Sequence, residues 1–262
     1  MRYCVLGATG FVGRHLADRL EGLGADVLRL SRPSFDLTRP EVFAAADLDG
    51  RVILDCAARI DGPEESVRAV VVDGLAEFLA HLRTRRPGRY VYFSTASTLR
   101  PEITAQNAYV RAKQEAEDFV RQIPDARIIR LSFPFGIGEN PERLVSRLIR
   151  KALAGERLAL GNVALPLTPI DFLAQRLPAL LEAPGRESNF TDGRLYHLRD
   201  VARAIFAALD LPEAWDEDPA RTADLSVDDP DIHPGGGALD MVRRMCALAK
   251  SAATGKGRAW AP

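Results

Sequence analysis

Apolar positions in the first half of the chain alternate between two kinds of pattern. Short apolar runs, "YCVL" (3–6), "ADVLRLS" (25–31), "RVILDCAA" (51–58), "RYVYFSTAS" (89–97) and "ARIIRLSF" (126–133), read as buried strands. Between them lie segments of helical period. Val12, Leu16 and Leu20 recur at helical spacing until Gly22 and Gly24 stop the helix. A second helix covers about 64–83, and a third carries Tyr109 and runs to about Arg121, ahead of Pro124. This alternation predicts a parallel sheet of right-handed βαβ units over about the first 135 residues.

The pattern then loosens. It predicts a helix near 141–154, a short strand near 157–160, helices near 171–182 and 199–209, and a last helix near 238–252. Residues 210–238 are acidic, rich in Pro and Gly and aperiodic. They read as a long loop, either a lid over a substrate or a disordered connector. The tail "TGKGRAWAP" reads as disordered. The fold expected is α/β. A Rossmann-type doubly wound parallel sheet occupies 1–167, and a small, mostly helical substrate-binding part occupies 168–262, interleaved with that core.

Composition alters this picture little. With 47% hydrophobic and 27% charged residues among 262, the chain has the usage of a soluble globular protein. A formal net charge of −1 gives no global field to attract nucleic acid or anionic lipid. Cys4, Cys56 and Cys246 lie far apart and fit a reducing compartment. They and the scattered His15, His81, His197 and His233 offer no metal-ligand spacing. Glycines and Arg14 break the apolar start, which therefore does not read as a signal peptide. No apolar run reaches the roughly 18 to 20 residues that span a bilayer. The expectation is a cytoplasmic protein with no membrane, nucleic-acid or metal partner.

Candidate chemistry begins at the first strand–helix junction, "GATGFVG". Gly7, Gly10 and Gly13 there let backbone approach a pyrophosphate, and the helix N-terminus adds free N–H groups. The second strand ends in Ser31, where an NAD site would carry a carboxylate, and Arg32 follows. A guanidinium without a neighbouring carboxylate suits a 2′-phosphate, so NADP(H) is favoured, with NAD(H) the alternative. "AYVRAK" places Tyr109 and Lys113 on one helix face. That spacing describes a solvated face as readily as a proton donor with its electrostatic helper.

In order along the chain, these segments resemble the extended branch of the short-chain dehydrogenase/reductase superfamily, which holds nucleotide-sugar epimerases, dehydratases and reductases. The resemblance covers roughly residues 3 to 180. It rests on the glycine turn, "FDLTRP", "LDCAA", "FSTAS", Tyr109-x-x-x-Lys113, "IIRLSFPFGIG" and "LTPIDFLAQ". It implies catalytic Thr95, Tyr109 and Lys113. It implies cofactor contacts from Gly7, Thr9, Gly10, Phe11, Val12, Gly13, Ser31, Arg32, Asp36, Leu37, Ala57, Ala58, Ser94, Tyr109, Lys113 and Pro134. In that pattern Asp36 bonds the adenine amino group, Leu37 meets the neighbouring edge and Asp171 is a buried carboxylate. A homodimer is implied as well.

Departures from the pattern are Phe133 and Val71 where the family carries Asn, and a short interval of 14 residues from Thr95 to Tyr109. Ser97 rivals Thr95 for the catalytic hydroxyl. Ser97, Phe133, Asn140 and Arg143 are the candidate substrate contacts, with Arg147 beside them; for both arginines an exposed helix face is an equal reading. His197 and Asp171 read equally as core hydrogen-bonding residues. The function expected is hydride transfer between a nicotinamide cofactor and a secondary alcohol or ketone of a nucleotide-linked sugar, with Tyr109 as acid/base. The alternatives are an epimerase holding NAD tightly and a non-catalytic dinucleotide-binding sensor or scaffold. Ala96 and Ser97, where a dehydratase carries an acidic pair, argue against dehydration.

Overall fold

A computed structural model describes residues 1–253; the expected disorder of the tail falls outside the described residues. In chain order the elements are β1 (Arg2–Leu6), α1 (Phe11–Gly22), β2 (Asp26–Leu30), β3 (Val52–Asp55), α2 (Glu64–Arg68), α3 (Gly74–Leu82), β4 (Arg89–Thr95), α4 (Pro101–Gln106), α5 (Ala108–Arg121) and β5 (Arg127–Leu131). There follow β6 (Pro134–Phe135), α6 (Leu144–Leu153), β7 (Leu158–Leu165), β8 (Thr168–Pro169), α7 (Ile170–Glu182), β9 (Glu187–Thr191), β10 (Tyr196–His197), α8 (Leu198–Leu209), β11 (Trp215–Asp224), β12 (Asp231–Ile232) and α9 (Ala238–Ala253).

The chain divides into two compact units. One is Met1–Leu131 with Leu177–Phe190; the other is Ser132–Arg176 with the chain from Thr191 onward. The boundary expected at 167 therefore falls inside the second unit.

The first unit is the Rossmann-type sheet. Its strands run parallel in the order β9-β5-β4-β3-β1-β2. From β1 the chain goes to one side for β2 and to the other for β3, so the switch point lies between β1 and β3. The carboxyl ends beside such a point are where doubly wound sheets bind ligands. One layer of the core packs Phe35, Phe43 and Phe78 with ring centroids 5.2 to 5.7 Å apart, in tilted and edge-on pairs. Pairs of this kind contribute about 0.5–1.5 kcal/mol beyond burial. They anchor the segment after β2, which carries Asp36 and Leu37.

Two local expectations change here. The helix expected over 64–83 is interrupted by a π-helical turn at Ala69–Asp73, where three consecutive β-branched valines crowd the backbone. The strand expected over 89–97 ends at Thr95, and Ala96–Leu99 form a 3₁₀ turn.

In the second unit α6, α8 and α9 pack on one another. A three-stranded sheet of order β10-β7-β11 joins them, so the unit is not simply helical. The loop expected over 210–238 is overturned: Trp215–Asp224 is a ten-residue strand parallel to β7. The register shifts between Asp218 and Thr222, which accommodates Pro219 on an edge strand. Its partner β7 is correspondingly longer than the strand expected at 157–160.

Candidate active site

The glycine turn is built by close packing. Gly7 has φ +70°, and a Cβ there would lie 2.9 Å from Ala57 Cα. A Cβ on Gly13 would lie 2.4 Å from the Gly7 carbonyl oxygen. The turn therefore closes tightly against the end of β3 and the start of α1. Gly10 caps α1 without a side-chain hydrogen bond, which leaves the first-turn N–H groups, including those of Phe11 and Val12, for a ligand.

A cleft at the switch point is lined by Gly7, Thr9 and Gly10 after β1, by Ser31, Arg32, Asp36 and Leu37 after β2, and by Ala57 and Ala58 after β3. It thus brings together most of the expected cofactor residues. The Asp36 carboxylate uses Oδ1 on the Thr38 N–H and hydroxyl, in a local turn. Arg59 also lines the cleft, held by Nε to the Asp61 carbonyl at 3.1 Å, and sequence reasoning passed it over. Its signal was available: a cation directly after the paired alanines. Glycines that a Cβ would displace, uncapped N–H groups and nearby guanidinium groups suit a dinucleotide.

Helix α5 starts where its sequence dictates. The Asn107 side chain accepts the Val110 N–H at 3.2 Å, so Tyr109 falls in the first turn and Lys113 one turn later. Lys113 is 1% exposed, which excludes the solvated-face reading. Its ammonium donates to the Phe93 carbonyl at 2.8 Å and lies 4.2 Å from the centroid of the Tyr92 ring. Burial pulls its pKa down to about 8, against the nearby Asp55 carboxylate. Tyr109 is half-buried against the core cluster that includes Tyr92.

Thr95 ends β4, and its hydroxyl oxygen accepts the Ser97 N–H at 3.3 Å. Thr95 thus caps the turn that begins at Ala96, through the Ser97 main chain and not its hydroxyl. Ser94 faces inward: its hydroxyl donates to Glu117 at 2.6 Å, so any cofactor contact from this residue falls to its main chain. Thr98 donates both to the Thr95 carbonyl, at 2.8 Å, and to Glu117, at 3.1 Å. Glu117 thus ties the loop that holds Thr95 to the helix that holds Tyr109 and Lys113. Sequence reasoning missed it, although it follows Lys113 by one further helical turn.

The remaining expected residues lie in the second unit. Phe133 is half-buried at φ +40°, a conformation rare for a bulky side chain, and its carbonyl accepts the Thr168 N–H at 3.2 Å. Pro134 follows in β6 and is half-buried. Asn140 and Arg143 are exposed. They shape the turn into α6: Asn140 Oδ1 accepts the Glu142 N–H, and the Arg143 N–H donates to the Asn140 carbonyl. Arg147 is exposed on α6. One expectation fails: Asp171 is not a buried carboxylate but a partly exposed one paired with Arg244 at 2.9 Å. Of the readings open for His197, the core one is excluded, since it is exposed at the start of α8.

Comparison with known proteins agrees with this geometry. The model of the NAD dependent epimerase/dehydratase family matches residues 3–219. A probable dTDP-4,6-dihydroxy-2-methyloxan-3-one 4-ketoreductase of Streptomyces antibioticus is 27% identical over 80% of this chain and 78% of its own length. A dTDP-4-dehydrorhamnose reductase of Mycobacterium tuberculosis is 27% identical over 86% of this chain and 79% of its own. Among solved structures, RMD from Pseudomonas aeruginosa complexed with NADPH superposes with a TM-score of 0.80 at 18% identity, covering 95% of this chain and 99% of that one. The site lies at the switch point of a Rossmann-type sheet, the motifs follow in order, and the family match runs through both. This chain belongs to the NAD dependent epimerase/dehydratase family.

Proposed function

We propose that this protein is an NADP(H)-dependent reductase of the keto group of a nucleotide-linked sugar, with Tyr109 as proton donor. The observation that carries the reading is the buried Lys113 ammonium one helical turn from Tyr109, its pKa lowered to about 8. A positive charge beside a phenol favours the phenolate, which makes the phenol a better acid near neutral pH. Two relatives named as dTDP-sugar reductases support net reduction. A thymidine-diphosphate-linked keto sugar is accordingly the substrate class proposed.

In this reading the first-turn N–H groups of α1 hold the pyrophosphate. Arg32 and Ser31 take the 2′-phosphate, and Asp36 and Leu37 border the adenine. When bound, the nicotinamide supplies a hydride to the carbonyl carbon. The Thr95 hydroxyl donates a hydrogen bond to the carbonyl oxygen and orients it. Tyr109 then delivers its proton to that oxygen, while Lys113 stabilises the phenolate left behind. Ser97, Phe133, Asn140 and Arg143 are proposed as substrate contacts. A homodimer and a cytoplasmic location complete the proposal.

Titration of the purified protein with NADPH and NADH, after assaying for dinucleotide that copurifies, tests it. Preferential, reversible NADPH binding supports a reductase. Retained NAD without preference for the phosphate replaces it with an epimerase, and no binding of either removes the catalytic reading of Tyr109 and Lys113.

A further inference from the structure

Asp55 ends the otherwise apolar strand "VILD" and is 1% exposed. A carboxylate in such surroundings is costly unless it is paired, so its neighbours define its purpose. The Tyr90 hydroxyl donates to Oδ2 at 2.5 Å, and the Ala57 N–H donates to Oδ1 at 2.9 Å. Parallel register sets Asp55 beside Tyr92, with Tyr90 two residues earlier on the same face. Over the Tyr92 ring lies the Lys113 ammonium. Carboxylate, two phenols and ammonium therefore share one face of β3 and β4 beneath α5. The Tyr92 hydroxyl is buried there without a hydrogen-bond partner.

We propose that Asp55 is the buried counter-ion of Lys113 and, through it, a positioning residue for the proton transfer assigned to Tyr109. The pairing stands on the shared face of β3 and β4, where Asp55 lies beside the ring that Lys113 covers, and on the attraction between the two groups; its catalytic meaning rests on the function proposed above. The groups facing Lys113 are Asp55 at the end of β3 and Cys56 just after it, the Tyr92 ring and Phe93 carbonyl from β4, and Glu117 from its own helix. Burial pushes the Cys56 thiol far up, so it is neutral. Glu117 spends its charge on Arg130, with contacts of 2.5 to 3.1 Å, and on Arg121. The hydrogen-bond partners of Asp55 are a phenol and an amide, which leave its charge for the ammonium.

The coupling runs both ways. Burial lowers Lys113 and Asp55 raises it again; burial raises Asp55 and Lys113 pulls it back. The same carboxylate holds Ala57, the residue against which Gly7 packs. One side chain thus ties the cofactor turn to the lysine.

The chain has four lysines, Lys113, Lys151, Lys250 and Lys256, so carbon-13 labelling at lysine Cε gives a resolvable NMR titration. Loss of one resonance in Lys113→Met assigns it. The wild-type Lys113 midpoint is expected near 8, falling by about one pH unit or more in Asp55→Asn. An unmoved midpoint overturns the pairing. Where Asp55→Asn does not fold, carbon-13-labelled aspartate in Lys113→Met gives the reciprocal reading. The Asp55 midpoint must rise above its wild-type value, and no rise overturns the pairing.

With NADPH and a dTDP-linked keto sugar, Asp55→Asn is expected to move the high-pH limb of kcat to lower pH. A shifted lysine midpoint with an unchanged pH profile overturns the positioning role. A wild type inactive in that assay defeats the reading of Tyr109 and leaves the pairing to the titration.

Discussion

Glu117 Oε2 lies 2.5 Å from Arg130 Nη2, with the two side chains 2% and 5% exposed. This buried pair joins α5 to β5, and Ser94, Thr98, Arg121 and Glu187 complete it. Its place beside Thr95 makes it the frame on which the proposed catalytic residues are held. Removing one partner of a buried pair leaves an uncompensated charge, which typically costs about 3–5 kcal/mol. Glu117→Ala is expected to lower stability by about that much in urea unfolding, whereas Glu117→Leu with Arg130→Met recovers a substantial part of it. Equal losses in the single and double variants would show that the charge pairing is not the cause.

Glu187 gives the fold a defined acid response. Arg121 and Arg130 hold its carboxyl down at about 2, against a usual 4.5. A depressed acid contributes stability above its unfolded pKa and loses it as pH falls through the folded one. The urea midpoint should therefore decline from about pH 4.5 toward 2, and Glu187→Gln should flatten that part of the decline. The same slope in the variant would assign the acid loss to other carboxylates.

Arg32 and Arg59 line the cleft at the switch point, from the segments after β2 and β3. A charge-assisted hydrogen bond contributes about 1.5–3 kcal/mol, or roughly ten- to a hundredfold in affinity. Arg32→Ala is expected to weaken NADPH by that factor and to leave NADH nearly unchanged, as read by fluorescence titration. A similar loss for both dinucleotides would move Arg32 from the 2′-phosphate to the shared pyrophosphate.

Tyr109→Phe removes the proposed acid and keeps the ring. General acid catalysis contributes about 10²–10⁴-fold, so kcat is expected to fall by that much while NADPH affinity stays close to wild type. A variant that keeps most of its kcat would transfer the proton donor to another group.

The sheet was legible because apolar runs and helical periods alternate cleanly, and because Gly7, Gly10 and Gly13 stand where a strand meets a helix. The strand at Trp215–Asp224 was not legible: it is an edge strand with little buried surface, so its sequence carries no alternation and tolerates Pro219. The Tyr109–Lys113 spacing was visible, but not the burial of Lys113. That depends on β3 and β4, whose Asp55, Tyr92 and Phe93 come from distant parts of the chain. For the same reason the local sequence around Asp55 and Glu117 carries no sign of the roles they take in the fold. Asp171 misled in the opposite direction, since nothing local distinguishes a buried polar residue from an exposed one.

Net hydride transfer to the sugar is read by supplying NADPH deuterated at nicotinamide C4 together with a dTDP-linked keto sugar, and following both by mass spectrometry. A keto-sugar reductase forms one NADP⁺ per sugar reduced, with deuterium on the new carbinol carbon. A sugar isomerised without label, beside NAD that stays on the protein, would contradict net reduction.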